Sequence, residues 1–104
     1  RDSYRRVDAP ADLSQKARLA KLSADDVKAD EIAGEQILKI ETAANSGGAL
    51  GGIKVSTNTA WFAARPSGTE DVYKIYGESF KGEQHLEQVL KQAQLLVDEA
   101  VSSK

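Results

Sequence analysis

The residues with the clearest chemical potential form a six-residue stretch, Arg-Pro-Ser-Gly-Thr-Glu, at positions 65–70. Arg65 offers a planar fork of N–H donors that fits the oxygens of a phosphate group. Ser67 and Thr69 add hydroxyl donors, and Gly68 lets the backbone approach a ligand closely and aim N–H groups at it. Together these groups favour a site that holds a small anion by several of its oxygens.

The same stretch allows a second interpretation. Proline at its second position and glycine in its tight part are also typical of a plain β-turn. A small interaction module whose loop is only a turn is therefore the alternative. Under both interpretations the stretch lacks a catalytic base and a nucleophile paired with one, so it is predicted to bind and not to react.

Charge is unevenly distributed along the 104 residues, whose formal net charge is −2. Residues 42–69 contain Lys54 and Arg65 but no carboxylate, so a small anion meets little repulsion there. The acidic overall balance argues against binding to a nucleic-acid backbone. The absence of cysteine and the single histidine, His85, exclude thiolate and multi-histidine metal sites. No apolar run is long enough for a transmembrane helix.

Hydrophobic periodicity and turn residues predict the elements that position this stretch. Asp12, with Gln15 three residues later, indicates a capping box that opens a helix near 12–22, followed by one further turn at 24–27. A regular apolar spacing predicts a long helix over 83–102. Strands are expected near residues 35–42, 52–57, 60–65 and 72–80.

This order of elements predicts an α+β domain in which both helices pack on one face of a four-stranded antiparallel sheet. The domain is expected to cover residues 12–104. Residues 1–11 are expected to form an extended lead-in or hinge, since Pro10 disfavours helix before it, with 1–9 loosely attached. The chain opens at Arg1 and contains no methionine, which predicts a segment of a longer protein.

The run WFAARPSGTEDVYKIYGESF, residues 61–80, resembles the C-terminal domain of the α-D-phosphohexomutases. Its R-x-S-G-T-E part is similar to the signature of that superfamily's fourth domain. The D-V-Y-K-I-Y part that follows is similar to the bacterial, glucose-specific phosphoglucomutase branch. The likeness extends from about Leu22 to the C-terminal helix and is weaker over residues 1–21. It implies a TBP-like fold for this domain.

The resemblance also implies a function. In this superfamily a phosphoserine of the first domain transfers its phosphoryl group, and the second domain holds Mg²⁺. The fourth domain binds the phosphate that is not transferred while glucose 1-phosphate and glucose 6-phosphate interconvert through glucose 1,6-bisphosphate. By likeness, the groups that contact this phosphate are Arg65, Ser67, Gly68 and Thr69. Glu70 is expected to brace the loop, and Lys74 is either a second phosphate-facing cation or a solvated strand residue.

The chain alone is therefore expected to bind no metal or other cofactor and to have no mutase activity. Its expected partners are the sugar phosphates and the other three domains of the parent enzyme, with no nucleic acid and no membrane. The expected location of the parent is the cytoplasm.

Three other features are interpreted structurally. The glycine-rich stretch 45–52 lacks the Gly-Lys-Ser/Thr ending of a nucleotide-binding loop and is predicted to be a turn. His85 is expected to be solvated or at the edge of a helix. Four aromatic residues on adjacent strands are interpreted as core packing and not as a base-stacking platform: Trp61, Phe62, Tyr73 and Tyr76.

Overall fold

The computed structural model describes residues 2–48 and 50–102. The predictions that touch Arg1, Ala49 and residues 103–104 therefore lie outside the described part. The strands are β1 (Ser3–Pro10), β2 (Glu31–Ile32), β3 (Glu35–Gln36), β4 (Lys39–Thr42), β5 (Ile53–Ser56), β6 (Ala60–Pro66) and β7 (Val72–Ser79). The α-helices are α1 (Leu13–Ala20) and α2 (Glu83–Ser102), and a short 3₁₀ helix covers Ala24–Asp26.

Five strands form one antiparallel sheet in the order β1-β7-β6-β5-β4, and β2 pairs with β3 in a separate two-stranded sheet. The α+β class is confirmed, whereas the predicted count of four strands is wrong. The predicted antiparallel hairpin of β5 and β6 is confirmed, with Val55 opposite Phe62. Strand β7 then pairs with the whole length of β6.

The fifth strand of the main sheet comes from the stretch that the sequence predicts to be loosely attached. Every residue from Ser3 to Pro10 has a partner on β7. The extended conformation is confirmed, but the predicted loose attachment is wrong. Pairing satisfies the backbone groups along an edge of β7 that would otherwise be open. It also buries Ala9, which is only 1% exposed.

The single strand predicted over 35–42 is divided into β3 and β4. Strands β2 and β3 form a hairpin whose two turn residues, Ala33 and Gly34, have φ angles of 51° and 83°. Positive φ at both central residues is what a tight type I′ hairpin turn requires. Beyond β3, the N–H of Ile37 donates to the carbonyl of Asp30 at 2.8 Å, and the N–H of Leu38 donates to the carbonyl of Ser56 on β5 at 2.8 Å. The chain therefore passes from the small sheet to the main sheet between these two residues.

The helices begin where the sequence predicts. At α1 the N–H of Gln15 donates to Asp12 Oδ1 at 2.8 Å, and the N–H of Asp12 donates to Gln15 Oε1 at 2.8 Å, so the capping box is confirmed. The predicted short turn is capped by a bond from the N–H of Ser23 to Asp26 Oδ2 at 2.9 Å. Helix α2 covers the predicted range. Neither helix of the described residues is both long and apolar enough to cross a membrane.

Both helices pack on one face of the main sheet. Along β7, the alternate residues Tyr73, Ile75 and Ser79 are at most 1% exposed. A Cβ at Gly77 would lie 2.7 Å from Leu90 Cδ2, so the side chains of α2 pack directly on the backbone of β7 there. The opposite side of the sheet, here called the open face, carries the other set of alternating side chains: Tyr4, Arg6, Asp8, Pro10, Lys39, Glu41, Lys54, Ser56, Trp61, Ala63, Arg65, Val72, Lys74, Tyr76 and Glu78.

Candidate functional site

The loop between β6 and β7 is closed by hydrogen bonds that centre on Ser67. Its N–H donates to the carbonyl of Val72 at 3.1 Å. Its hydroxyl oxygen accepts from the N–H of Glu70 at 3.1 Å and from the N–H of Thr69 at 3.4 Å. Ser67 is buried as a result, with 9% of its surface exposed. The hydroxyl oxygen of Ser67 therefore stabilises the turn as an acceptor. The hydroxyl proton of Ser67 remains available to donate to another group.

Neither the local backbone nor the packing requires a glycine at position 68. The φ of Gly68 lies outside the left-handed region, unlike those of Gly47 and Gly48. A Cβ on Gly68 would meet no heavy atom within 4 Å. Its N–H donates to no group in residues 2–48 and 50–102. A glycine in this position suits the close approach of a group from outside the chain.

Arg65 and Lys74 occupy facing positions on β6 and β7, on the open face beside the loop. Lys74 lies between two carboxylates, with its Nζ 3.8 Å from Glu70 Oε1 and 3.9 Å from Asp8 Oδ1. Arg65 is exposed, and no carboxylate of the described residues forms an ion pair with its guanidinium. The charge of Lys74 is therefore balanced within the chain, while that of Arg65 is available to an anion.

Groups from the N-terminal part of the chain hold the loop against the rest of the fold. Lys16 on α1 donates from Nζ to the carbonyl oxygen of Glu70 at 2.7 Å. The N–H of Ala11 donates to the carbonyl of Asp71 at 3.0 Å. The role of Lys16 was not predicted from the sequence, because its contact joins residues 54 positions apart and no local sequence pattern indicates it.

The four aromatic residues predicted as core are divided between the two faces of the sheet. Phe62 and Tyr73 are buried in the core, at 0% and 1% exposure. Trp61 and Tyr76 are partly exposed and lie on the open face. The core interpretation is wrong for these two, since successive residues of a strand point to opposite faces.

Two groups with shifted pKa values stabilise the fold: Tyr73, on the core face of β7 next to the loop, and Glu35, on β3. Burial, together with a hydrogen bond of 2.7 Å to Asp98 Oδ1, raises the pKa of Tyr73 far above its usual value. Hydrogen bonds from the hydroxyls of Thr57 and Thr59 lower the pKa of Glu35. Both interactions join elements that are distant in sequence, which is a structural role.

His85 is buried, so the expectation of a solvated or edge position is wrong. It is 9% exposed, and its Nδ1 lies 2.7 Å from Ser79 Oγ. The side chain lies in the first turn of α2, where it faces the sheet. The part of the chain that the structure describes holds no group of three or more His, Asp or Glu side chains able to bind a metal.

The glycine-rich stretch 45–52 is a turn in its described part, as the sequence predicts. Asn45 stabilises it by accepting from the N–H of Thr42 at 2.8 Å and donating to the carbonyl of Ile40 at 2.9 Å. The N–H of Gly48 donates to the carbonyl of Ala43 at 3.0 Å. Asn45 thus caps its own turn.

Comparison with known proteins shows which enzyme this chain is similar to in sequence. No protein-family model matches the chain. The chain is 55% identical over 92 residues to a phosphoglucomutase of Komagataeibacter xylinus. The match covers 88% of this chain, and the chain spans 17% of the length of that curated relative. The similarity to a phosphoglucomutase that residues 61–80 indicate is therefore confirmed.

Proposed function

We propose that this chain is the C-terminal part of a phosphoglucomutase and that it binds the substrate phosphate that is not being transferred. The proposed parent interconverts glucose 1-phosphate and glucose 6-phosphate through glucose 1,6-bisphosphate. The 55% identity to the Komagataeibacter xylinus enzyme supports this class of parent. The geometry of the loop at 65–70 supports the role of this part.

The observation that carries the proposal is the combination of Arg65 and Gly68. Arg65 presents a guanidinium without an acidic partner among the described residues. A few residues further on, Gly68 has an N–H without a described acceptor and empty space where a side chain would be. Positive charge, free donors and open space in one short segment suit an anion with several oxygens, and phosphate is such an anion.

Each loop residue has a distinct task in the proposed site. Arg65 donates two parallel N–H bonds to phosphate oxygens, which fixes both distance and orientation. The N–H of Gly68 and the hydroxyl of Thr69 donate to the remaining oxygens, and Ser67 contributes its hydroxyl proton while its oxygen keeps the turn closed. Lys74 and Glu70 support the site by their ion pair at 3.8 Å, which holds the loop against β7.

The chemistry of transfer belongs to other parts of the proposed parent. The loop has no nucleophile paired with a catalytic base, since its one carboxylate, Glu70, forms an ion pair with Lys74. Its contribution is to hold the sugar phosphate where a phosphoserine elsewhere can react with it. When bound by another domain, Mg²⁺ would stabilise charge on the transferring phosphoryl group. We therefore expect the 104-residue chain alone to have no mutase activity. Residues 1–11 are proposed to connect it to the preceding domain, and the parent is proposed to be cytoplasmic.

Titration of the chain with inorganic phosphate, followed by backbone amide chemical shifts in NMR, tests the proposal. We expect saturable shifts concentrated at residues 65–70, with weak affinity because an isolated site lacks the contacts of the other domains. Arg65→Ala should abolish these shifts. Lys39→Ala, which removes an exposed lysine elsewhere on the open face, should leave them unchanged. A flat response at tens of millimolar phosphate would contradict the proposal and favour an interaction module whose loop is only a turn.

A further inference from the structure

The open face carries a cluster of aromatic side chains that neither helix covers in the described part of the chain. A shallow depression of about 340 Å³ lies there, and its lining includes Tyr4, Lys54, Trp61, Arg65 and Tyr76. Tyr4 is 58% exposed, and both helices pack on the other side of the sheet. Tryptophan, tyrosine and arginine are enriched at the energetic centres of protein–protein interfaces. The composition of this surface is therefore typical of a protein contact.

The indole ring of Trp61 is held in place by three neighbours. Its N–H donates to Glu78 Oε1 at 2.9 Å, so the polar edge of the ring is satisfied within the chain. The ammonium of Lys54 lies 4.8 Å from the centre of the indole ring. The Tyr4 ring is tilted by 48° to the indole, with 6.3 Å between ring centres. A side chain that is already ordered loses little conformational entropy on association, so Trp61 is suited to anchor a partner.

The charge of the open face favours an acidic partner. Five cationic and three acidic side chains lie on this face, in a chain whose formal net charge is −2. Glu41 stands opposite Lys54 in the sheet register, but its carboxylate pairs with Lys39 at 3.7 Å. Among residues 2–48 and 50–102, Lys54 forms no ion pair with a carboxylate. Its charge is therefore available to an acidic group of the partner.

Arg65 determines which side of the sheet faces the rest of the proposed parent. Its side chain lies on the open face, so a phosphate that it binds is held on that side. The proposed function requires a phosphoserine from elsewhere in the parent to reach the same sugar phosphate. The part of the parent that carries it must approach from the open-face side, because α1 and α2 occupy the other side.

The parent chain itself is the partner best placed to occupy this surface. The 104 residues span 17% of the length of the curated relative, so most of a parent of that kind lies outside them. Segments tethered in one chain meet at effective concentrations on the order of millimolar, which favours them over a partner that is free in solution.

We propose that the open face around Trp61 is the docking surface for an acidic segment of the parent chain that lies outside these 104 residues. The segment places a carboxylate on Lys54 and apolar side chains against Tyr4 and Trp61. This rests on the proposed function, because the proposed parent supplies the segment. The contact holds the phosphate loop at a fixed position relative to the group that transfers the phosphoryl, which the loop alone does not do.

Hydroxyl-radical footprinting with mass spectrometry tests the proposal by comparing oxidation rates in the 104-residue chain and in the proposed parent. We expect Trp61 and Tyr4 to be oxidised at least about threefold more slowly in the parent, since docking excludes water from an interface centre. Leu95 is the control, because it is 71% exposed on α2 and away from the open face. Its oxidation rate should be the same in both proteins.

The outcomes of this comparison separate the docking surface from the phosphate site. Equal oxidation of Trp61 in the two proteins would overturn the docking surface, whereas saturable loop shifts with inorganic phosphate in the 104-residue chain would still support the phosphate site. Protection of Trp61 that grows with the concentration of the 104-residue chain alone would assign the surface to a second copy, and would overturn the proposal as well.

Lys54→Glu tests the proposed carboxylate, with Lys39→Glu as the matched control on the same face. A carboxylate at position 54 meets the like charge of the docked segment, which disfavours docking. The ratio of Trp61 oxidation between the 104-residue chain and the parent should fall towards one in Lys54→Glu and stay unchanged in Lys39→Glu. Taking the ratio cancels the loss of the contact between Lys54 and the indole, which both proteins share. Lys54→Met, which removes the charge without reversing it, should lower the ratio less, and an unchanged ratio in both Lys54 variants would overturn the proposed contact.

Discussion

Arg65 and Lys74 face each other across β6 and β7, yet among residues 2–48 and 50–102 only Lys74 has carboxylates within ion-pair distance. Asp8 on β1 and Glu70 in the loop lie 3.9 Å and 3.8 Å from its ammonium. The lysine therefore ties the loop to the edge strand, while the neighbouring guanidinium carries an uncompensated charge at the margin of the loop. Two cations side by side on one face thus have different tasks, and substitution can separate them.

Arg65→Ala in the proposed parent enzyme should lower kcat/KM by roughly ten- to a hundred-fold, since a charge-assisted hydrogen bond to phosphate contributes about 1.5–3 kcal/mol. The Michaelis constant should rise and turnover should fall. Arg65→Lys should recover only part of the loss, because an ammonium keeps the charge but not the fork. Steady-state kinetics with glucose 1-phosphate measure this effect.

The fold should survive Arg65→Ala, because changes at exposed charges usually cost under ~0.5 kcal/mol. Circular dichroism and urea unfolding of the variant check this requirement. Kinetics close to those of the wild type in a folded alanine variant would show that the loop is a turn and not a phosphate site.

Gly68→Ala should weaken phosphate binding without destabilising the chain. No heavy atom lies within 4 Å of the added Cβ and the φ of Gly68 is ordinary, so the free energy of unfolding should stay the same or rise by up to about 1 kcal/mol. Gly51→Ala is the matched control, because that glycine also has open surroundings and an ordinary φ. Urea unfolding and the phosphate titration give the two readouts. Unchanged phosphate affinity in Gly68→Ala would mean that nothing approaches this backbone closely.

Lys16→Met should weaken phosphate binding by roughly two- to fivefold. Lys16 contacts the carbonyl of Glu70 and not the proposed ligand, so its loss should act by letting the loop move away from its binding position. Lys28→Met is the control, since Lys28 donates from the same atom to a backbone carbonyl, that of Asp25, at 3.1 Å. Amide hydrogen exchange at residues 67–71 should be faster in Lys16→Met alone. Equal exchange and equal affinity in the two variants would contradict a positioning role for Lys16.

The sequence was sufficient to predict the elements that have a regular apolar spacing or a cap formed by neighbouring residues. Helix α2 carries an apolar stripe along its whole length, so its range could be predicted. The start of α1 could be predicted because Asp12 and Gln15 satisfy each other's backbone groups. Both signals lie within a few turns of chain and need no knowledge of the tertiary fold.

Strand β1 could not be predicted, because its partner lies some seventy positions away. Ser3 pairs with Ser79, and within the strand only Val7 and Ala9 contribute apolar groups to the core. The remaining side chains are polar or lie on the open face, so the alternation is weak. The candidate site shows the same limit, since residues 65–70 are a local motif whereas Lys16 reaches the loop only through the packing of α1.

The carboxylate of Glu35 joins β3 to the turn between β5 and β6, and this contact is expected to depend on pH. Glu35 Oε1 accepts from Thr57 Oγ1 at 2.7 Å and from Thr59 Oγ1 at 2.8 Å. These bonds favour the charged form and lower the pKa of Glu35 from its ordinary value of 4.5. A carboxyl group whose folded pKa is lowered contributes stability above its unfolded pKa and loses that contribution as the pH falls through the folded pKa.

Glu35→Gln should therefore lower the free energy of unfolding at pH 7 by on the order of 1 kcal/mol, because an amide oxygen accepts these bonds without the charge. The difference between wild type and Glu35→Gln should shrink as the pH falls below the ordinary range for glutamate. Urea unfolding at a series of pH values from neutral to about 3 measures it, and taking the difference cancels the titration of the other carboxylates. Glu31→Gln, an exposed glutamate on the neighbouring strand β2, should show no pH-dependent difference from wild type. A gap between wild type and Glu35→Gln that stays constant over this whole range would mean that the two threonines do not hold the charged carboxylate in solution.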